Sequence, residues 1–280
     1  MIPSHRFGPP VRHPRPYTRT HAGPEIPDYE AYDYEKEWAG RGIEDEAERK
    51  LMARMATRAE YCLELGGGFG RITRVLERRF RRVYMVDYSV RNLEKAALRT
   101  RDAVLVRHDI RRLPFGDDSF DCVVAVRVLH HIADIAGMMD EMVRVGRRGG
   151  EVILGVPSPG FGRFKGTDPE TRLPPGGHAI HTHAAASYAR PGLRLEERRW
   201  LGLFDNGLGR RLDRLRPLSA LDVATSRLWP LKQELFVKFR FSKEGGRAVP
   251  AVRCTCGGEI EGFRCGACSR TFGRVIDLVA

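Results

Sequence analysis

The sequence predicts an α/β fold with a doubly wound, mainly parallel sheet. Apolar runs of strand length alternate with helical stretches between residues 60 and 157. The first run, Tyr61–Leu63, leads into the glycine-rich segment Glu64–Gly70, and a helix is predicted from Arg71 to Phe80. A strand, a glycine turn and a helix together bring backbone N–H groups close to a nucleotide-like ligand.

The spacing of the glycines distinguishes between ligands. A dinucleotide-binding fingerprint has a third small residue where the helix meets the strand, but counting from Gly66 and Gly68 places the bulky Arg71 there. Read as acid-x-Gly-x-Gly-x-Gly, the segment fills every position, from the acid Glu64 to the last glycine, Gly70. This is the first motif of class I S-adenosylmethionine (SAM) methyltransferases, and the sequence resembles that family.

The elements that follow have the order typical of the family. A second apolar run, Arg82–Asp87, ends in an acid, and Ser89 is suited to cap the next helix, Val90–Arg101. A third run, Ala103–Val106, leads to Asp109. The remaining elements of this region are strand Cys122–Val126, the segment Arg127–Ile132, a helix ending at Arg144, and strand Glu151–Val156. The resemblance therefore covers residues 60–157 and implies a Rossmann-like sheet of seven strands.

The resemblance also implies which residues bind SAM. Asp87 would accept hydrogen bonds from both ribose hydroxyls, with Tyr88 beside the nucleoside. Asp109 would accept a hydrogen bond from the adenine amino group, with Ile110 against the ring. The full predicted cofactor-binding set is Glu64, Gly66, Gly68, Gly70, Asp87, Tyr88, Asp109, Ile110 and Arg127. The alternative interpretation is a doubly wound sheet that binds no SAM.

Composition agrees with one main domain and small additions, because 280 residues with 42% hydrophobic content can bury a substantial core. No apolar run approaches the ~20 residues of a membrane span, and the N-terminus lacks the apolar core of a signal peptide. We therefore expect a cytoplasmic protein. The net charge of +12 would suit RNA binding. The basic residues are mostly arginines, however, which a GC-rich coding sequence also produces. We therefore slightly favour the interpretation that they are ordinary solvent-exposed residues and do not bind RNA.

The predicted organisation has four parts. They are a disordered basic arm (1–27), a helical and aromatic cap (28–55), the methyltransferase domain (56–245, with a helical insertion at 203–229) and a zinc-ribbon-like tail (250–280). The aromatic residues of the cap either help to enclose the acceptor or only pack its helix onto the sheet. The insertion is either core packing or a substrate lid. The family pattern predicts a closing strand pair, Arg194–Trp200 and Leu235–Phe241, after a long irregular loop, 158–183.

The tail contains four of the six cysteines in two close pairs, Cys254 with Cys256 and Cys265 with Cys268. In a cytoplasmic protein this favours a structural metal site over disulfides, and metal binding would supply the folding energy of so short a segment. The pattern resembles zinc ribbons, especially the small zinc-ribbon activator of several translation-related methyltransferases. We therefore expect the four cysteines to bind Zn²⁺. Because the first pair is Cys-x-Cys rather than the usual Cys-x-x-Cys, a degenerate site that binds no metal and an iron–sulfur cluster are the alternatives.

A general base is needed only if the acceptor must lose a proton. His130 and His131 follow the fourth strand and are the candidates, although a Leu-His-His segment in this family is often only the start of a helix. A second cluster, His178, His181 and His183, lies in the long loop, and composition alone assigns it no chemistry.

Three functions are consistent with the sequence. We favour methyl transfer to a small-molecule acceptor slightly, because the Leu-His-His segment resembles enzymes that methylate quinone precursors and secondary metabolites. The zinc ribbon and the basic arm instead suggest RNA or a ribosomal protein. Enzymes that methylate the adenine amino group or a glutamine side chain have an Asn-Pro-Pro-Tyr-like motif after the fourth strand. This sequence has Arg127-Val-Leu-His there, which argues against both acceptors. The third candidate is a non-catalytic partner protein with the same fold. Oligomeric state is not predicted.

Overall fold

The structure is a computed structural model that describes residues 33–158, 185–203, 211–228, 232 and 234–279. The predicted basic arm and the second histidine cluster lie outside the described residues, as does part of the helical insertion. Within the described ranges the chain forms one eight-stranded sheet and one three-stranded sheet.

The helices and strands follow one another as expected for a doubly wound fold. The α-helices are α1 (Gly42–Met55), α2 (Thr73–Leu76), α3 (Val90–Arg99), α4 (Ile135–Val145) and α5 (Leu218–Ala224), and the 3₁₀ helices are Tyr34–Trp38, Leu129–His131 and Ala185–Tyr188. The strands are β1 (Ala59–Leu65), β2 (Phe80–Asp87), β3 (Val104–Arg107), β4 (Phe120–Val126), β5 (Gly146–Pro157), β6 (Leu193–Leu201), β7 (Glu234–Phe241), β8 (Val252–Arg253), β9 (Glu259–Glu261), β10 (Arg264–Cys265) and β11 (Val275–Asp277).

The large sheet has the strand order β11-β3-β2-β1-β4-β5-β7-β6, in which β7 runs antiparallel to both of its neighbours, β5 and β6, and all other neighbouring strands are parallel. The predicted doubly wound fold is therefore confirmed. The direction of winding reverses between β1 and β4, where Leu65 lies beside Ala125. In open α/β sheets the crevice at this reversal, beyond the carboxyl ends of the strands, is where ligands bind.

The seven strands expected for the methyltransferase domain are all present, and in the described part of the chain the sheet has one more. The extra strand, β11, comes from the C-terminal tail and pairs in parallel with β3, with Ile276 opposite Val106. Its three residues are too few for a periodic pattern to predict it. Pairing with β11 covers β3, which would otherwise be an exposed edge.

Two local predictions have different outcomes. The Ser89 cap is confirmed, because its side chain accepts a hydrogen bond from the Asn92 N–H at 3.2 Å. The predicted helix from Arg71 to Phe80 is wrong in length. Only Thr73–Leu76 is α-helical, because turns flank it and β2 already begins at Phe80. So short a helix has no developed dipole to bind an anion.

The core forms two layers, one on each face of the large sheet. One layer contains Leu63, Val123 and Met139, and the other contains Leu51 and Val124. Alternating strand residues face the two layers, as the pleat requires. In the part of the chain that the structure describes, no helix is long and apolar enough to cross a membrane.

Candidate functional site

The glycine-rich loop after β1 is held in a conformation that favours glycine. Gly66, Gly68 and Gly70 have φ angles of +62°, +57° and +82°. A Cβ atom on Gly66 would overlap the side chain of Val128, so the loop and the segment after β4 approach each other too closely for any other residue. The loop therefore lies at the point where the winding of the sheet reverses.

Asp87, at the end of β2, is joined to this loop. Its carboxylate accepts hydrogen bonds from the N–H of Gly68 at 2.8 Å and from the N–H of Ser89 at 2.9 Å, and the residue is only 8% exposed. Each carboxylate oxygen can accept more than one hydrogen bond. The arrangement thus fits the predicted role of Asp87 toward two ribose hydroxyls, with the carboxylate already oriented by the backbone.

Glu64 lies beneath the loop, where it is buried. It accepts a hydrogen bond from the Thr73 hydroxyl at 2.6 Å. Burial raises the pKa of Glu64 to about 7, because the charged form loses its hydration. The acid of the motif therefore links β1 to the short helix α2.

The predicted adenine contacts have mixed surroundings. Ile110 is buried in the core beside β3. Asp109 is paired with Arg111, whose Nε lies 3.0 Å from Oδ1 and whose Nη2 lies 2.8 Å from Oδ2. Tyr88 is half-buried, and its carbonyl accepts a hydrogen bond from Arg107 at 3.0 Å. An adenine amino group would have to share the Asp109 carboxylate with Arg111.

The cap covers the glycine loop from the N-terminal side. The Tyr34 ring would lie 3.4 Å from a Cβ atom on Gly68, and its centroid is 6.1 Å from that of Phe69. Ion pairs hold the cap to α3. They join Asp33 to Arg91 and Lys95, and Glu35 to Lys95 and Arg99. The cap thus encloses the space in front of the loop.

Arg127, the residue after β4, is the centre of a buried acidic cluster. Its guanidinium contacts Glu44 and Glu48 on α1 and Glu234 on β7, the last at 3.0 Å. The backbone of Arg127 has a φ of +57°, a left-handed conformation that is uncommon for residues other than glycine. Arg71 adds a second cation beside Glu48. The predicted cofactor residue Arg127 therefore joins α1, β4 and β7.

The three carboxyls of this cluster ionise differently. Burial alone would raise the pKa of Glu48, but Arg127 and Arg71 outweigh it and lower that pKa to about 2. Burial raises the pKa of Glu234 well above its ordinary value, and the charges of Glu48 and Glu44 add to this effect. Glu48 is therefore a carboxylate at neutral pH, whereas the raised pKa of Glu234 favours its protonated form.

The candidate bases His130 and His131 lie in the 3₁₀ helix that follows this segment, and their ring centroids are 4.0 Å apart. Both are half-buried at the carboxyl end of β4. The structure thus brings the glycine loop, Asp87, Arg127 and the two histidines to one edge of the sheet.

The four tail cysteines come together in the three-stranded sheet. The Sγ atoms of Cys254 and Cys268 are 3.8 Å apart, those of Cys256 and Cys265 are 3.4 Å apart, and all four lie within 4.8 Å of one another. A tetrahedral zinc site with ~2.3 Å bonds places its sulfurs about 3.8 Å apart. The donor set therefore fits Zn²⁺, with Cys-x-Cys in place of the usual spacing.

A turn explains how the short first pair serves this site. Gly257, with a φ of +88°, donates its N–H to the Cys254 carbonyl at 2.8 Å. The chain reverses there and brings Cys256 back toward Cys265. Backbone N–H groups, first that of Cys268, lower the pKa of Cys265 to about 6, which favours the thiolate form that binds metals.

The sequence interpretation missed the acidic partners of Arg127. Glu44 and Glu48 are four residues apart and share one helix face, which is a detectable sign of a charged stripe. Nothing in the sequence around Glu234 marks it as their neighbour, because it is almost 190 residues further along the chain.

Comparison with known proteins gives matches to part of the chain. Residues 63–154 match the family model described as a methyltransferase domain. A demethylmenaquinone methyltransferase from Mycobacterium sp. (strain KMS) is 41% identical over 68 residues, which are 24% of this chain and 29% of that protein. The chain spans less than a third of the length of the first curated relatives that it matches.

Two solved structures share the fold at low identity. One is a SAM-dependent methyltransferase from Mesorhizobium loti, with a TM-score of 0.52 and 19% identity over 71% of this chain and 100% of that chain. The other is a Haloferax volcanii complex between a methyltransferase activator and a methyltransferase, with a TM-score of 0.53 and 17% identity over 77% of this chain and 96% of that chain.

Proposed function

We propose that this chain, whose residues 63–154 belong to the class I SAM-dependent methyltransferase family, transfers a methyl group from SAM to a small-molecule acceptor. The observation that carries the proposal is the hydrogen bond between the Gly68 N–H and the Asp87 carboxylate, at 2.8 Å, which joins the glycine loop after β1 to the end of β2 beside the crevice where the sheet reverses its winding. It joins the two motif residues that the family uses for the donor.

SAM supplies a methyl group on a sulfonium. An acceptor atom attacks the methyl carbon in line, the carbon–sulfur bond breaks, and S-adenosylhomocysteine leaves. The glycine loop and Asp87 would hold the methionine and ribose parts, with Tyr88 and Ile110 toward the adenine. The contribution of these residues is orientation, because holding two reactants in near-attack geometry is worth roughly 7–11 kcal/mol. His130 or His131 would take the proton of an acceptor that must lose one.

The enclosed crevice supports a small acceptor. Tyr34 lies over the glycine loop, and Trp38 stacks with the guanidinium of Arg71, whose carbon is 3.7 Å from the ring centroid. Ion pairs with α3 hold this cap in place, so a polymer would have to displace it to reach the loop. The demethylmenaquinone methyltransferases among the relatives have names that also indicate a small molecule.

RNA or a ribosomal protein is the second candidate acceptor. The cysteine-rich tail favours it, together with the similarity to a structure that contains a methyltransferase activator. Cysteines that bind a metal instead of forming disulfides suit a reducing compartment. For either acceptor we therefore place the protein in the cytoplasm, with Zn²⁺ bound to the tail.

Calorimetry with SAM tests the donor site. Wild-type protein should release or absorb heat on titration, and Asp87→Ala should weaken binding at least about tenfold, as expected for loss of hydrogen bonds to a charged group. Asp102→Ala is the control, because Asp102 is exposed in the loop before β3, at the other edge of the sheet. No measurable heat with the wild type would contradict the proposed function.

A labelling experiment tests the acceptor. The protein is incubated with methyl-labelled SAM and a lysate of its host, and RNA, protein and small organic fractions are separated. Label in the small organic fraction supports the proposal, whereas label in RNA or protein would establish the second candidate. Tight SAM binding with no label in any fraction would indicate a non-catalytic partner protein.

A further inference from the structure

The last residues of the tail belong to the large sheet and not to the cysteine-rich sheet. Val275, Ile276 and Asp277 pair with Leu105, Val106 and Arg107 of β3. The N–H of Leu278 then donates to the Arg107 carbonyl at 3.0 Å. The tail therefore ends beside the strand that carries Arg107 and leads to Asp109.

Arg107 connects this added strand to the candidate donor site. Its Nη1 lies 3.2 Å from Asp277 Oδ2, and its Nε donates to the carbonyl of Tyr88 at 3.0 Å. The guanidinium carbon is 5.5 Å from the Tyr88 ring centroid. Tyr88 directly follows Asp87, whose carboxylate is bound to the glycine loop. One buried cation thus contacts both the tail and the nucleoside side of the site.

The cysteine-rich sheet and the segment that contains β11 contribute side chains to one hydrophobic core. Cys254, Cys265 and Ile260 are buried in the same core cluster as Ile276 and Leu278. Protein interiors are close-packed and transmit strain from one element to the next. Loss of metal from the cysteines would therefore loosen the segment that positions Asp277.

We propose that the C-terminal tail supports the donor site from within the chain, with Asp277 as a positioning residue that acts through Arg107 on Tyr88. The proposal rests on the proposed function. When Arg107 loses Asp277, its buried charge is no longer fully compensated, and the guanidinium moves toward other acceptors and away from the Tyr88 carbonyl. The metal in the tail and the adenosyl ligand then stabilise each other's sites, because coupling between two sites is reciprocal.

Asp277→Asn isolates the ion pair. The asparagine keeps the oxygen that accepts the Val279 N–H, now at 3.0 Å, but removes the charge that faces Arg107. Arg274→Gln is the matched control, because Arg274 also ties the tail to the domain, through the Thr100 carbonyl at 2.6 Å, without contacting Tyr88. Both variants of the full, zinc-loaded chain are titrated with S-adenosylhomocysteine, and their unfolding temperatures are measured.

We expect Asp277→Asn to weaken binding of S-adenosylhomocysteine at least about fivefold and Arg274→Gln to leave it unchanged. Asp277→Glu keeps the charge and should weaken binding less than Asp277→Asn. Equal effects of the two variants, or none, with normal wild-type binding would overturn this inference alone. No binding by the wild type would overturn the proposed function as well. In the reciprocal measurement, saturating S-adenosylhomocysteine should slow zinc transfer to a chelator in the wild type but not in Asp277→Asn. Unchanged transfer in the wild type would also contradict the inference.

Discussion

Glu48 and Glu234 both contact Arg127, but replacing each by glutamine should have opposite consequences. Glu48 is a carboxylate at neutral pH, so Glu48→Gln removes a charge that faces two buried guanidinium groups, those of Arg127 and Arg71. Burial and the neighbouring acids raise the pKa of Glu234 and favour its neutral form, so Glu234→Gln introduces a neutral group of nearly the same shape.

The magnitude follows from the pKa of Glu48. Its fall from 4.5 to about 2 on folding corresponds to about 3 kcal/mol, because one pH unit is worth ~1.4 kcal/mol. This agrees with the ~3–5 kcal/mol lost when a buried ion pair loses one partner. For a chain of this size the loss should lower the unfolding temperature by roughly 6–12 °C. Glu234→Gln should not lower it.

The pH dependence provides a further check. A carboxyl whose pKa is lowered on folding contributes stability above its unfolded pKa, and this stability is lost as the pH falls through the folded value. The difference between wild type and Glu48→Gln should therefore be full above pH 4.5 and shrink toward pH 2. A carboxyl whose pKa is raised on folding contributes stability below its unfolded pKa, and the protein loses this stability as the pH rises. Glutamine does not titrate, so Glu234→Gln should become more stable relative to the wild type as the pH rises above 4.5.

Urea unfolding of the zinc-loaded protein, followed by far-UV circular dichroism at pH 7 and at pH 3, measures these differences. If Glu234→Gln destabilises the protein as much as Glu48→Gln at pH 7, the raised pKa of Glu234 is wrong. If Glu48→Gln costs as much at pH 3 as at pH 7, the lowered pKa of Glu48 is wrong.

Three further predictions concern the donor site and the tail. Gly68→Ala places a Cβ atom against Tyr34 on a residue with left-handed backbone, which costs ~1–2 kcal/mol. Calorimetry should therefore show SAM binding about tenfold weaker, and unchanged binding would contradict the assignment of this loop to the SAM site. Arg111→Ala frees the Asp109 carboxylate, so SAM affinity should rise severalfold if Asp109 binds the adenine, and a fall would show that Arg111 itself contacts the ligand. Elemental analysis should find one zinc per chain and almost none in Cys265→Ser; a zinc-free wild type would refute the metal site.

Much of the fold could be predicted because its signals are local. The alternation of apolar runs and helical stretches gave the doubly wound sheet, and the motif from Glu64 to Gly70 placed a tight loop after the first strand. Ser89 is three residues from the N–H that it caps, so one short segment contains both partners. Such features depend on neighbouring residues, so they can be predicted from a short segment without knowledge of the rest of the chain.

The length of α2 and the surroundings of Asp109 could not be predicted in the same way. A helical pattern does not show that turns will limit α2 to Thr73–Leu76 before β2 begins at Phe80. The pairing of Asp109 with Arg111 competes with the adenine contact that the family resemblance implies. In both places two local preferences conflict, and packing decides between them.

The sequence by itself determined the order of the strands along the chain, the glycine loop and the presence of four cysteines in the tail. Only the tertiary structure decided where β11 pairs and which acids surround Arg127. β11 has three residues and pairs with a strand about 170 residues earlier, so the neighbouring sequence contains no record of the partner. Glu44, Glu48 and Glu234 meet Arg127 only when α1 and β7 close over the end of β4. A buried charge requires a partner, but which distant residue supplies it depends on how the packed elements come together.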